Sequence, residues 1–137
     1  MLPLRTLALA LLTCTAAQAQ VVVVVNPKAG LDSLSTEQVA AFFLGKSSSL
    51  PGGLSQALDL PEANAARDQF YAKGAGKSAS QVKATWARLA FSGKATPPKE
   101  LANAAEVKKF VGAHADAVGY IEKAAVDGSV KVVLTIE

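Results

Sequence analysis

The most chemically pointed cluster in the chain is an asparagine-led helix start with an arginine in its first turn. Asn64-Ala65-Ala66-Arg67 opens a helical pattern that carries Phe70. The free N–H groups of a helix N-terminus, and the positive end of its dipole, attract anions. Arg67 adds a planar fork that suits a phosphate or a carboxylate. Asn64, Ala65, Ala66 and Arg67 are therefore a candidate anion-binding group. The plainer alternative is that Asn64 only caps the helix. On that reading Arg67 pairs with Glu62 or Asp68, and Glu62 would itself repel an anion.

Other residues that could do chemistry lack the company they need. Gly76-Lys77-Ser78 suggests a phosphate loop, but that motif requires a glycine five positions ahead of the Gly-Lys pair. Tyr71 stands there, so the segment reads as a loop followed by a Ser78 cap. His114 is the sole histidine, and one histidine without cysteines or clustered acids completes no zinc site. It reads as exposed, with Asp116 close enough in sequence to orient it. Ser33, Ser47, Ser48, Ser49 and Ser55 stand in no nucleophile-elbow context. The acids are dispersed, so no glycosidase-type pair emerges. No catalytic residue, metal ligand or cofactor is assigned. The net charge of +3 is mild, and only Lys108-Lys109 are adjacent cations. A nucleic-acid binder would show a basic stripe with interleaved aromatics, and none is present.

The elements that must position these residues alternate between strand and helix. Val21 to Val25 is a continuous β-branched run, the pattern of a strand covered on both faces. Asn26-Pro27-Lys28-Ala29-Gly30 ends it as a loop. Ser35 with Gln38 makes a capping box, with Leu34 placed to staple onto Val39. The helix that follows sets Val39, Phe42 and Phe43 on one face, and Gly45 stops it. Leu54 to Leu58 reads as a second strand. Asn64 caps a helix that Gly74-Ala75-Gly76 breaks. Ser78 with Gln81 opens another helix, carrying Val82, Trp86, Leu89 and Ala90. Trp86 is expected to pack inward, its indole N–H on a backbone acceptor. Asn103 with Glu106 caps a helix with Val107, Phe110 and Val111. Ala117 to Ile121 and Val130 to Ile136 are the remaining strands. In the last, Val130, Val132, Leu134 and Ile136 alternate with Lys131, Val133 and Thr135. Strands separated by helices argue for α/β layers.

Three segments, in order, resemble one lobe of the phosphate-type periplasmic solute-binding proteins. The first is Val22-Val23-Val24-Val25-Asn26-Pro27-Lys28-Ala29-Gly30, continuing through Leu34-Ser35-Thr36-Glu37-Gln38-Val39 to Phe43-Leu44-Gly45-Lys46. The second is Asn64-Ala65-Ala66-Arg67-Asp68-Gln69-Phe70, where that family has Ser-Gly-Thr-Arg-x-x-Phe. The third is Ala117-Val118-Gly119-Tyr120-Ile121, close to the family's Ala-Ile-Gly-Tyr-Val. The resemblance implies a single three-layer lobe of the type II periplasmic-binding fold, a mixed sheet flanked by helices. It implies a protein related to phosphate receptors of ABC transporters, binding an oxyanion weakly at the Asn64–Arg67 helix start and performing no catalysis. Two departures bear on this. The family closes two lobes on its ligand, whereas this chain has length for one, and the Ser-Gly-Thr stretch reads Asn64-Ala65-Ala66. The alternative function is therefore a single-lobe structural or interaction module that recruits an envelope protein and holds no small molecule.

The first residues carry an export pattern. Arg5 is the only charge before Lys28, a short apolar run follows it, and Ala17-Gln18-Ala19 is a small-x-small exit. Residues 1–19 are expected to be a signal peptide and residues 20–137 one domain, periplasmic or secreted. No segment approaches the roughly 18 apolar residues of a membrane span. Cys14, the only cysteine, follows Thr13 rather than a small residue of the usual lipoprotein kind, so lipidation is the weaker reading. The exported protein should begin at Gln20. N-terminal mass analysis checks this, and a chain starting at a lipidated Cys14 would overturn it.

Overall fold

The computed structural model describes residues 20–137, so the expected signal peptide and Cys14 lie outside the described residues. Five strands, β1 (Val21–Val25), β2 (Gln56–Asp59), β3 (Lys99–Glu100), β4 (Ala117–Glu122) and β5 (Lys131–Ile136), form one sheet. Their order is β3-β2-β4-β1-β5. The helices are α1 (Thr36–Phe43), α2 (Ala65–Ala75), α3 (Ala79–Phe91) and α4 (Ala104–Ala113). β1 runs antiparallel to both β4 and β5, while β2 is parallel to β3 and β4. The sheet is therefore mixed, as expected.

All five valines of β1 are buried, because β1 has a partner on each edge and cover on each face. Two adjacent residues of β4 show what covers the faces. Successive side chains of a strand point to opposite sides. Tyr120 stacks on Phe70 of α2, with ring centroids 4.0 Å apart. Gly119 faces α4, where an added Cβ would come within 2.7 Å of Val107 Cγ1. Helix α4 therefore lies on one face and α2 on the other, with α1 joined to α2 through Phe43 and Phe70, 4.8 Å apart. This is the expected three-layer lobe, and it explains the glycine in Ala-Val-Gly-Tyr-Ile: a side chain there would push α4 off the sheet.

The local signals hold where they are purely local. Ser35 and Gln38 form a reciprocal capping box on α1, and Ser78 and Gln81 do the same on α3. Asn103 accepts from the Glu106 N–H at the head of α4. Asn26 turns the chain after β1: its Oδ1 accepts from the Lys28 N–H at 2.9 Å, and its Nδ2 donates to Val111 O at 3.1 Å. The end of β1 is thereby tied to the end of α4.

Three expectations need correction. β2 begins at Gln56 and reaches Asp59, because Ser55 and Gln56 both donate to the Asp116 carbonyl before the ladder with β4 starts. The short parallel strand β3 is an addition to the expected strands, since two residues carry no periodicity that a sequence could show. In β5 the simple alternation fails. The register against β1 shifts between Val23 and Val24, leaving Val133 bulged. Val133 turns inward and Val132 is 37% exposed. The bulge frees the Val133 carbonyl, which accepts from the Leu34 N–H at 2.9 Å.

Val23 is fully buried at the centre of this sheet. Val23→Asp should cost at least about 4 kcal/mol, as an unpaired buried carboxylate does. A variant that melts like the parent in thermal denaturation would contradict the placement of β1.

Candidate functional site

A carboxylate at the end of β2 organises the polar interior. Asp59 is 4% exposed and is the only buried charged residue among those described. It follows Leu58 and precedes Leu60, so the strand carries it into the core. Tyr71 donates its hydroxyl to Asp59 Oδ2 at 2.6 Å. Tyr120 donates its hydroxyl to Asp59 Oδ1. The Leu60 N–H donates to the same oxygen at 2.9 Å. The Arg67 guanidinium stands 3.7 Å from Oδ2 through Nη1, which also donates to the Leu60 carbonyl at 2.9 Å. A buried charge persists only when paired and hydrogen-bonded, and here both oxygens are satisfied.

Helix α2 supplies two of these partners because Arg67 and Tyr71 are four residues apart and share a face. Their spacing also sets the guanidinium carbon 5.6 Å from the centre of the Tyr71 ring, a cation–π geometry. Burial, and then the negative charge of Asp59, push the hydroxyls of Tyr71 and Tyr120 far above the ordinary tyrosine value of 10.0.

The expected anion-binding residues sit as follows. Asn64 caps α2, its Oδ1 accepting from the Ala66 N–H at 3.0 Å. Ala65 is exposed and Ala66 is buried. Arg67 reaches neither Glu62 nor Asp68: it turns inward to Asp59, a partner that local spacing does not suggest. Its Nε is buried with no acceptor. Arg67 and Asp59 line a hollow of about 180 Å³, closed by Val82, Lys83 and Trp86 of α3, by Pro97 and Pro98, and by Glu100. Asn64, Ala65 and Ala66 do not line it.

A larger cleft of about 610 Å³ lies beside it, sharing Trp86, Pro97 and Pro98 as a common wall. Trp86 is half-buried and donates its indole N–H to the Phe43 carbonyl at 2.9 Å, as expected. Gly45, at φ 76°, makes this approach possible: a Cβ there would come within 2.6 Å of Leu89 Cδ1 and 3.0 Å of Trp86 Cη2. His114 is exposed, stacked on Phe110 at 4.1 Å, and its Nδ1 lies 3.1 Å from the Phe110 carbonyl rather than beside Asp116.

The architecture matches solved structures of phosphate receptors. The ABC-type phosphate transport receptor of Vibrio cholerae superposes with a TM-score of 0.65 over 84% of this chain, at 18% identity. A Clostridium perfringens protein assigned as a phosphate ABC transporter substrate-binding protein, solved with bound phosphate, gives 0.66 over 84% at 16% identity. PstS of Borrelia burgdorferi gives 0.62 over 84% at 9% identity. The chain has the fold of one phosphate-receptor lobe. It spans 45%, 44% and 46% of the length of those three chains. No family model and no curated protein matches the sequence. Among the described residues no helix is long and apolar enough to cross a membrane. The receptor-lobe fold accounts for the order of the three sequence segments: one builds β1 and α1, one opens α2, and one is β4, and the three meet at Phe43, Phe70 and Tyr120.

Tyr71 and Tyr120 are the only tyrosines in the chain, so their ionisation can be read directly. Their folded values lie above the unfolded value of about 10. Their contribution to stability is thus fully present below pH 10 and is lost as pH rises beyond it. Above pH 10 the unfolded state sheds protons that the folded state retains, so stability should fall by about 1.4 kcal/mol per pH unit for each tyrosine. Tyrosinate absorbance should appear together with unfolding. Absorbance rising near pH 10 while the circular dichroism stays native would show that the hydroxyls are free.

Proposed function

We propose that this chain is an exported, non-catalytic solute-binding lobe that takes an oxyanion weakly at the start of α2, through Arg67. The observation that carries the reading is that Arg67 lines a hollow while its Nε is left without an acceptor. A guanidinium offers donors in a fixed fork, and Asp59 and Leu60 engage only its Nη1. The remaining donors have the chemistry of a phosphate or sulfate clamp. The matched receptors are phosphate-binding proteins by description, and the Clostridium perfringens structure holds phosphate. Asp59 and Glu100 also line the hollow and oppose an anion there, which supports an affinity near the millimolar range, about 4 kcal/mol.

A second reading, an envelope interaction module without a small-molecule ligand, is favoured by Phe91. This side chain ends α3 and is 96% exposed. Helix α3 buries only Val82 of its thirteen residues, so most of its surface is open to a partner.

Phosphate or sulfate at tens of millimolar should raise the melting temperature, since a ligand of the folded state stabilises it by mass action. Neutral salt should weaken the effect by screening. Arg67→Lys should remove the shift while keeping a cation beside Asp59. Arg67→Ala is the poorer probe, because it strands Asp59 and should cost about 3 kcal/mol of stability. Asn64→Ala should lower stability by about 1 kcal/mol through the lost cap. A wild-type protein indifferent to both anions would leave the interaction module as the standing reading.

A further inference from the structure

The larger cleft lies at the start of β2, whereas Asp59 and Arg67 lie at its end. Ser55, Gln56 and Ala57 form its base and Pro97, Pro98 and Lys99 one rim, with Lys46 and Ser47 entering from the end of α1. We infer that this cleft is a separate binding site, for a small organic anion: a phosphate or carboxylate carried on an apolar or aromatic body.

Four observations converge on that chemistry. First, the volume of about 610 Å³ falls within the range of roughly 300–1,000 Å³ common to small-molecule sites. Second, the wall holds Lys46, Lys94 and Lys99 and no carboxylate. The ammonium groups of Lys46 and Lys94 have no hydrogen-bond or ion-pair partner among the described residues, and Lys99 Nζ rests 4.9 Å from the Phe110 ring centre. Third, the charge is not local chance. Residues 69–99 contain Lys73, Lys77, Lys83, Arg88, Lys94 and Lys99 and no Asp or Glu, in a chain whose net charge is only +3. A concave wall of one sign raises the local concentration of the opposite ion. Fourth, hydroxyls from Ser47, Ser55 and Thr96 stand among the lysines, while Trp86 and the two prolines offer apolar surface.

The apolar part separates this site from one for a bare inorganic ion. A free phosphate would meet the lysines and leave the indole and prolines in water. A ligand with a ring or chain covers both. The Trp86 plane is held by its hydrogen bond to Phe43 O and by its packing at Gly45, so the apolar part of the wall is preformed.

Trp86 is the only tryptophan, which makes its fluorescence a direct reporter. The test titrates the protein with phenyl phosphate and, in parallel, with inorganic phosphate. Phenyl phosphate should perturb the emission with at least tenfold tighter affinity than inorganic phosphate. The Lys46→Gln/Lys94→Gln variant, both positions exposed, should melt like the parent and lose at least tenfold in that affinity. Lys94→Glu alone should weaken it further than Lys94→Gln. Because Trp86 also borders the Arg67 hollow, Arg67→Lys serves as the control and should leave the phenyl phosphate response intact. A thermal shift by inorganic phosphate reports on the Arg67 reading instead, so either site can fail without the other. Equal affinity for the two anions, a response that survives the double lysine variant, or no response to phenyl phosphate would each overturn the inference.

Discussion

The Asp59 carboxylate is the constraint around which the lobe is arranged. An ionised group taken out of water is costly unless every lone pair finds a donor. The donors here come from three separate elements. The turn after β2 gives the Leu60 N–H, α2 gives Arg67 and Tyr71, and β4 gives Tyr120. All must arrive together, so the pairing of β2 with β4 and the seating of α2 on the sheet are a single event. The aromatic contacts follow from it. With its hydroxyl held by Asp59, the Tyr120 ring has one orientation, and Phe70 stacks on it. Phe43 then closes edge-on against both. Slippage of α2 by one residue would turn Arg67 and Tyr71 away and leave a bare charge in the core. The polar cluster thus disfavours other registers of α2, because a shifted helix would leave the carboxylate unpaired.

How much of this the sequence reveals depends on the range of the interaction. The caps at Ser35, Asn64, Ser78 and Asn103 are legible because donor and acceptor lie within three residues. The five valines of β1 are legible because continuity means cover on both sides. The order of the three receptor-like segments is enough for the fold. The partner of Arg67 is not legible, since Glu62 and Asp68 are closer in sequence than Asp59 and equally plausible by charge. The sequence does carry one signal: an isolated acid inside Leu58-Asp59-Leu60 sits where a strand should be wholly apolar. The bulge at Val133 leaves no signal, because the alternation it breaks is intact in the sequence. It is fixed by Leu34, a residue about a hundred positions away. Of the candidate anion site, the cap at Asn64 is seen as read. Arg67 lies at the expected place on the helix but faces inward, and the two clefts are walled by Pro97 and Pro98, thirty residues further along the chain.

The two concavities share Trp86, Pro97 and Pro98, yet they differ in electrical character. The hollow at Arg67 contains a cation already neighboured by Asp59, with Glu100 at its edge. The cleft beyond Trp86 contains three lysines and no acid. The wall of Trp86, Pro97 and Pro98 therefore divides a compensated pocket from an uncompensated one. Glycine at position 45 matters to both, because it lets the end of α1 meet that indole at contact distance.

The position of β1 in the sheet also governs the order of assembly. Among the described residues Val21–Val25 is the earliest strand, and its two partners, β4 and β5, are the latest. About ninety residues separate β1 from the first of these partners, and they must be in place before the central ladder can close. Such high contact order slows folding. Meanwhile five consecutive valines without Pro, Gly or charge remain available to any extended segment, the composition from which intermolecular β-pairing grows. The last strand completes the sheet and also withdraws this hazard. A polypeptide cut short before Lys131 would present β1 as an open edge, the template on which extended chains pair with one another.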